Sequence, residues 1–239
     1  ALDRRFVFQA NPPISTRGRV MARYALRQGE NEVGVIARLG DAISERMAEG
    51  FENELYEEGG ELAFYHLLES ENGWTRLASE VGPDTLARTP ALYLALSGGS
   101  ARVPAEAALQ SLEEAGLRPR IYGSDGWHHI NQEDRASRFE TTYATDFYVD
   151  ETSSGVQNFR RRYQTLADAD PDRPAFMGFD VATYILSRSV SRRGDDLIEI
   201  LRNDISYQGL STRLDFSRSN VNQALFIFGY RDGDRELLR

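Results

Sequence analysis

Hydrophobic positions recur along the chain with two different spacings, and the two alternate. Over 16–27, Val20, Met21, Tyr24 and Ala25 share one helical face, and Gly29 ends the run. Val33-Gly34-Val35-Ile36-Ala37 is apolar without a break, as a parallel strand covered on both faces must be. Asp41 offers an N-cap to a helix in which Ile43, Met47, Phe51 and Leu55 fall four residues apart, up to Gly59-Gly60. The succession then repeats. Residues 61–68 read as a strand, 74–87 as a helix and 91–96 as a strand. A helix over 104–115 follows, with Ala107, Ala108, Leu112 and Ala115 inward and Gly116 as its stop. Residues 120–124 and 143–149 read as two more strands. This rhythm predicts an α/β fold, an open parallel sheet with helices on both faces.

Beyond Asp150 the pattern turns helical. Val156, Phe159, Tyr163 and Leu166 stripe one helix. The next opens at Pro174, a favourable first-turn residue, and runs to about Val190. Phe176, Met177, Phe179, Val181, Ala182, Tyr184, Ile185 and Leu186 make it apolar almost all round, which predicts cover on most sides. A third helix over 197–202 leads through Gly209 to Thr212-Arg213-Leu214-Asp215-Phe216, and the run 224–230 is apolar enough to rejoin the first sheet. The expected division is an α/β lobe of 1–150 with 222–239, and a mainly helical segment of 151–221.

Composition narrows the functional classes. With 239 residues, 41% hydrophobic and 27% charged, the chain has the balance of a folded globular protein. No apolar run approaches the roughly eighteen residues of a spanning helix, and Ala1 to Phe6 lack the apolar stretch of a secretory signal. The absence of cysteine excludes disulfides, thiolate catalysis and cysteine metal sites. All 28 basic residues are arginine, and they lie scattered under a net charge of −9, which argues against a nucleic-acid partner. A high-salt habitat and a GC-rich genome explain the missing lysine equally well.

Four stretches, in order, resemble the type I periplasmic solute-binding proteins of branched-chain amino-acid ABC transporters. Phe6-Val7-Phe8-Gln9 followed by Gly18 to Ala25 is similar to the start of that family's second lobe. Glu32 to Gly59 is similar to its strand, loop and long helix ending in glycine. Arg173 to Ile185, containing Gly178-Phe179-Asp180-Val181-Ala182, resembles its Gly-Tyr-Asp-Ala helix. Leu201 to Phe216, with Tyr207-Gln208-Gly209 and Leu214-Asp215-Phe216, resembles its closing segment. The resemblance implies that 151–221 returns to lobe one, and that the first half of lobe one is missing here. It also implies that an upstream segment, or a partner subunit such as a second copy, covers the helix over 174–190.

Ligands of open parallel sheets sit at the carboxyl ends of the strands, where three loops of this chain meet. In Arg38-Leu39-Gly40-Asp41-Ala42, many family members place a tyrosine before the helix; Ala42 and Ile43 stand here, a departure that argues against the usual amino-acid ligand. The plain alternative for this loop is a solvated turn with a helix cap. Ser97-Gly98-Gly99-Ser100 allows close backbone approach to a carboxylate or phosphate, or is simply a tight turn needing positive φ. In Gly123-Ser124-Asp125-Gly126-Trp127, the resemblance puts Asp125 where an acidic residue meets a ligand ammonium, with Trp127 as a wall of the cleft. The alternative is a surface turn with an Asx cap. The candidate ligand-binding set is therefore Ser97, Gly98, Gly99, Ser100, Asp125 and Trp127.

Catalytic signals are weak. His128 and His129 are adjacent and project apart, so with Glu133 and Asp134 they make a poor metal site. No Gly-x-Ser-x-Gly elbow, Gly-x-Gly-x-x-Gly or phosphate-loop motif occurs, and only three histidines are present to serve a serine nucleophile. An α/β hydrolase is the weakest of the readings. Arg160-Arg161-Arg162 and Arg192-Arg193 read as solvated helix faces. The expected function is non-enzymatic and without cofactor: a substrate-binding component, or a fragment of one, holding a small polar solute such as an amino acid in an interlobe cleft. The resemblance places it in the periplasm beside a membrane permease. The alternative is a cell-envelope regulatory domain that keeps the fold without a solute.

Overall fold

The computed structural model describes residues 7–98, 101–191, 197–203, 206–217 and 219–238. The chain forms two compact units, Pro13–Thr145 with Ile227–Arg239 and Ala1–Pro12 with Asp146–Phe226. The first unit holds α1 (Ile14–Arg27), β1 (Glu32–Arg38), α2 (Ala42–Glu57), β2 (Glu61–Leu68), a 3-10 helix (Glu71–Arg76), α3 (Leu77–Val81) and α4 (Pro83–Ala87). It continues with β3 (Ala91–Leu94), α5 (Arg102–Glu114), β4 (Arg120–Gly123), a 3-10 turn (Asp125–His129), α6 (Glu133–Arg138) and β5 (Thr142–Thr145). The second unit holds α7 (Ser154–Ala167), α8 (Arg173–Ser191), α9 (Leu197–Asn203), β6 (Tyr207–Gln208) and β7 (Arg213–Leu214). The chain ends on β8 (Phe226–Arg231) and β9 (Asp234–Leu238).

The expected sheet is present. Seven strands run in the order β2-β1-β3-β4-β5-β8-β9, with β2, β1, β3, β4 and β5 parallel. Val33 to Ala37 of β1 and all of β3 are buried, as unbroken apolar runs require. The run 224–230 does rejoin the sheet, and β9 adds an antiparallel edge that its charged residues had hidden. The hairpin turn is legible in retrospect: Asp232-Gly233, both at positive φ, is the dipeptide a tight hairpin selects.

Three expectations shift. The helix over 74–87 is three pieces, the end of the 3-10 helix, α3 and α4; the last two part at Gly82 (φ +97), because Pro83 cannot continue a helix and disfavours helical geometry in the residue before it. The stripe of α2 begins at Met47, since Ile43 is exposed in the first turn while Met47, Phe51 and Leu55 are buried. The run beginning at Tyr143 stays extended only to Thr145, where the chain leaves the unit.

Helix α1 lies very close to α2. A β-carbon on Gly18 would sit 2.0 Å from the Met47 carbonyl oxygen, and one on Gly50 2.3 Å from that of Ser15. Two glycines thus set the helix spacing, and Phe51 of α2 stacks on Tyr93 of β3 at 4.3 Å. In the second unit, Tyr184, Leu201, Leu214 and Phe216 form one core cluster, with Phe8, Ala10, Val181 and Tyr207 packed against it. Among the described residues of helix α8, Phe176, Asp180 and Tyr184 are buried, whereas Phe179, Ile185 and Leu186 are exposed. Among the described residues, no helix is long and apolar enough to cross a membrane.

Candidate functional site

The strand order places the topological switch between β1 and β3. From β1 the chain crosses through α2 to β2 on one side, and from β3 through α5 to β4 on the other. The loops that follow β1 and β3 diverge there, which is where open α/β sheets leave a crevice. A cavity of about 260 Å³ occupies that position within the first unit. Arg38, Asp41 and Ser44 line it from the β1–α2 turn; Ala95, Leu96 and Ser97 line it from the end of β3. Asn72, Trp74 and Thr75 of the 3-10 helix, with Ala101, Val103, Pro104 and Ala107 around the start of α5, close the remaining sides.

Local hydrogen bonds hold these walls. Asp41 Oδ1 accepts the amides of Ile43 (3.0 Å) and Ser44 (3.2 Å), so Asp41 is the cap that the sequence predicts for α2. Its other oxygen lies 3.5 Å from Arg38 Nη2. Ser44 Oγ donates to the Ala95 carbonyl at 2.7 Å and accepts the Arg38 amide at 3.0 Å, joining the ends of β3 and β1 across the crevice floor.

Beside the crevice, three residues from distant parts of the sequence form a polar cluster. Arg17 Nη1 donates to Asp125 Oδ1 at 2.7 Å and to Ser97 Oγ at 3.1 Å, and Ser97 Oγ donates to Asp125 at 3.0 Å. Ser97 belongs to both the cluster and the crevice. The guanidinium is nearly buried, which strengthens its attraction for the carboxylate. Tyr93 lies in the same field: burial, outweighing the nearby Arg17, pushes its phenol far above the ordinary tyrosine range.

The structure thus brings Ser97 and Asp125 together and leaves the other candidates apart. Gly98 takes φ +77 with open space beside it, and its carbonyl accepts the Ala101 amide at 3.0 Å, which is turn geometry. Gly99 and Ser100 lie outside the described residues, as do Arg192 and Arg193. Trp127 departs from its expected place: its side chain is wholly buried, and its indole Nε1 fills the space where Gly123 lacks a β-carbon. It packs inside the protein and offers no surface to a cleft. Asp125 also differs from expectation, because its carboxylate meets the chain's own guanidinium.

Arg17 was not among the candidates, although a signal for it exists. It falls three, four and seven residues before Val20, Met21 and Tyr24, on the apolar face of α1, and an arginine there needs a buried partner. His128 makes a 2.8 Å hydrogen bond between Nδ1 and the Tyr143 hydroxyl. Among the described residues, no group of three His, Asp or Glu side chains is placed to hold a metal ion. Arg160 pairs with Glu151 at 2.6 Å and stacks over Phe176.

No family model and no curated protein sequence matches the chain. Solved structures do. A putative branched-chain amino acid ABC transporter protein from Rhodospirillum rubrum superposes with a TM-score of 0.68 at 20% identity, over 97% of this chain and 67% of that one. The C-domain of LpoA from Haemophilus influenzae, a regulator of PBP1A, gives 0.62 at 15%, over 95% and 67%. A solute binding protein of an ABC transporter from R. palustris, in complex with benzoate, gives 0.56 at 19%, over 97% and 64%. The chain spans about two thirds of the length of these structures. Sheet order, switch-point crevice and superposition agree: this chain has the type I periplasmic binding protein fold.

Proposed function

We propose that the chain is the substrate-binding part of an ABC-type transport system and takes a small polar solute in the switch-point crevice. The observation that carries this reading is a cavity of about 260 Å³ with polar and apolar walls, placed at the strand-order reversal of a fold shared with solute-binding proteins. Ser97 supplies a hydroxyl group, and Arg38, Asn72 and Thr75 supply further polar groups of the lining. The role is recognition without turnover. It belongs outside the cytoplasm, where a membrane permease receives the loaded protein.

A thermal-shift panel of amino acids, small carboxylates and sugars tests this. Ligand at a hundred times its dissociation constant stabilises by about 2.7 kcal/mol, which raises the melting temperature of a chain this size by roughly 5–10 °C. A shift with any one class supports the reading, and silence across the panel removes it.

The second reading, a cell-envelope regulatory domain without solute, is favoured by the engagement of Asp125 with Arg17 and by the likeness to the LpoA C-domain. It gains from the silent panel.

A further inference from the structure

The opposite, amino edge of the sheet carries a second cavity, of about 160 Å³. Its lining comes from the segments that lead into the parallel strands. Glu30 precedes β1, Arg118 and Arg120 lead into β4, Arg138 with Phe139 closes α6, and Glu140 precedes β5. Three guanidiniums therefore line one small cavity of a chain whose net charge is −9.

The three are held differently. Arg120 is fully engaged, donating to Glu30 at 2.6 Å and to Glu140 at 2.8 Å. Arg118 and Arg138 each give one nitrogen, at 3.1 and 3.0 Å, to the same oxygen of Glu113, whose other oxygen takes Arg135 at 2.9 Å. One carboxylate thus serves three guanidiniums. The remaining bonds of Arg118 and Arg138 go to the backbone carbonyls of Leu117 (3.0 Å) and Asp134 (3.4 Å). A guanidinium has five N–H donors, so most of those on both side chains are left for a ligand. Both side chains are close to half exposed, at 43% and 49%, and exposed ion pairs exchange at little cost. When they turn to a new anion, Glu113 keeps Arg135. The Arg118 guanidinium also lies 5.2 Å from the centre of the buried Phe139 ring, a contact that steadies it.

Two guanidinium forks arriving from different elements suit an acceptor with oxygens on several sides. A carboxylate offers two oxygens in one plane, whereas a phosphate group offers three or more and up to two charges. Glu30 and Glu140 face the same cavity and repel an anion. Arg120 between them offsets one of those two charges, and the excess of two positive charges around Glu113 outweighs the other.

We propose that the cavity at the amino edge of the sheet binds a phosphate group, free or carried on a small molecule, through Arg118 and Arg138. The site is separate from the switch-point crevice and stands whether or not that crevice holds a solute.

The test titrates inorganic phosphate and glycerol 3-phosphate into the full 239-residue chain by calorimetry near neutral pH, with sodium chloride holding ionic strength constant. Saturable binding of at least one is expected, weakened about tenfold by Arg118→Gln and by Arg138→Gln. Arg160→Gln, in the other unit, leaves it unchanged. Glu113→Gln removes the carboxylate that competes for both arginines and tightens binding, a gain that a misfolded variant cannot produce. Equal binding of the two compounds shows that the free ion suffices, and a preference of about tenfold or more for the ester assigns a carried phosphate group. Melting curves confirm that the variants fold. Absence of saturable binding overturns the inference, as does a signal that added chloride reproduces. Binding that survives both arginine substitutions overturns it too, because the phosphate then sits elsewhere. None of these outcomes bears on the solute-binding reading.

Discussion

The carboxylate of Asp180 accepts both the amide (2.8 Å) and the hydroxyl (2.7 Å) of Ser211, 31 residues further along. It also takes the amides of Leu210 at 2.7 Å and Thr212 at 3.0 Å, so one buried side chain of α8 organises the turn between β6 and β7. Gly209 permits this approach, since a β-carbon there would lie 2.3 Å from the carboxylate. Asp180→Ala leaves four donors without an acceptor, three of them buried, and lowers stability by about 3 kcal/mol or more. Urea denaturation of the two proteins measures the difference, and a loss below about 1 kcal/mol contradicts this account.

The spacing of α1 and α2 depends on Gly18 and Gly50. Alanine at either position places a methyl group inside the partner helix's backbone and forces the pair apart, at a cost of about 1–3 kcal/mol each. Because both glycines serve one interface, the double variant falls short of the sum. Thermal melts of the single and double variants measure this; additivity would show that the two contacts are independent.

Asp41 separates cap from charge. Asp41→Ala costs about 1 kcal/mol through the lost bonds to Ile43 and Ser44, whereas Asp41→Asn keeps an acceptor and costs only a few tenths. If Asn proves as damaging as Ala, the exposed pair with Arg38 matters more than the cap.

His128 gives the first unit an acid-sensitive element. Burial, then Arg235 and His129, lower its pKa to about 4. The folded state therefore refuses a proton that the unfolded chain takes up below about pH 6.5. Its contribution is complete above pH 6.5 and declines as pH falls toward 4. After discounting for partial exposure, the decline is about 1–2 kcal/mol. Stability profiles of wild type and His128→Asn between pH 4 and 7 isolate it. Parallel profiles would assign the acid sensitivity to other groups.

Much of the fold was open to sequence reasoning because period and punctuation act over a few residues. The unbroken run of β1, the Asp41 cap and the glycine stops of α1 and α5 each follow from steric or hydrogen-bonding rules within one turn of chain. The break at Gly82-Pro83 and the Asp232-Gly233 hairpin were equally local, and both signals stood in the sequence. The candidate site was legible only in part. Position at the strand ends pointed to the loops holding Ser97 and Asp125, but loop sequence does not say which side chains turn inward, as Trp127 does.

By itself, then, the sequence determined the alternation of strands and helices, the α/β class and the loops at the carboxyl edge, since these depend on short-range periodicity. Only the tertiary structure decided what those loops can hold. Arg17, Ser97 and Asp125 meet across separations of 80 and 108 residues, and packing of α1 against the sheet brings them together. A charge's partner depends on that packing, and no local pattern encodes it.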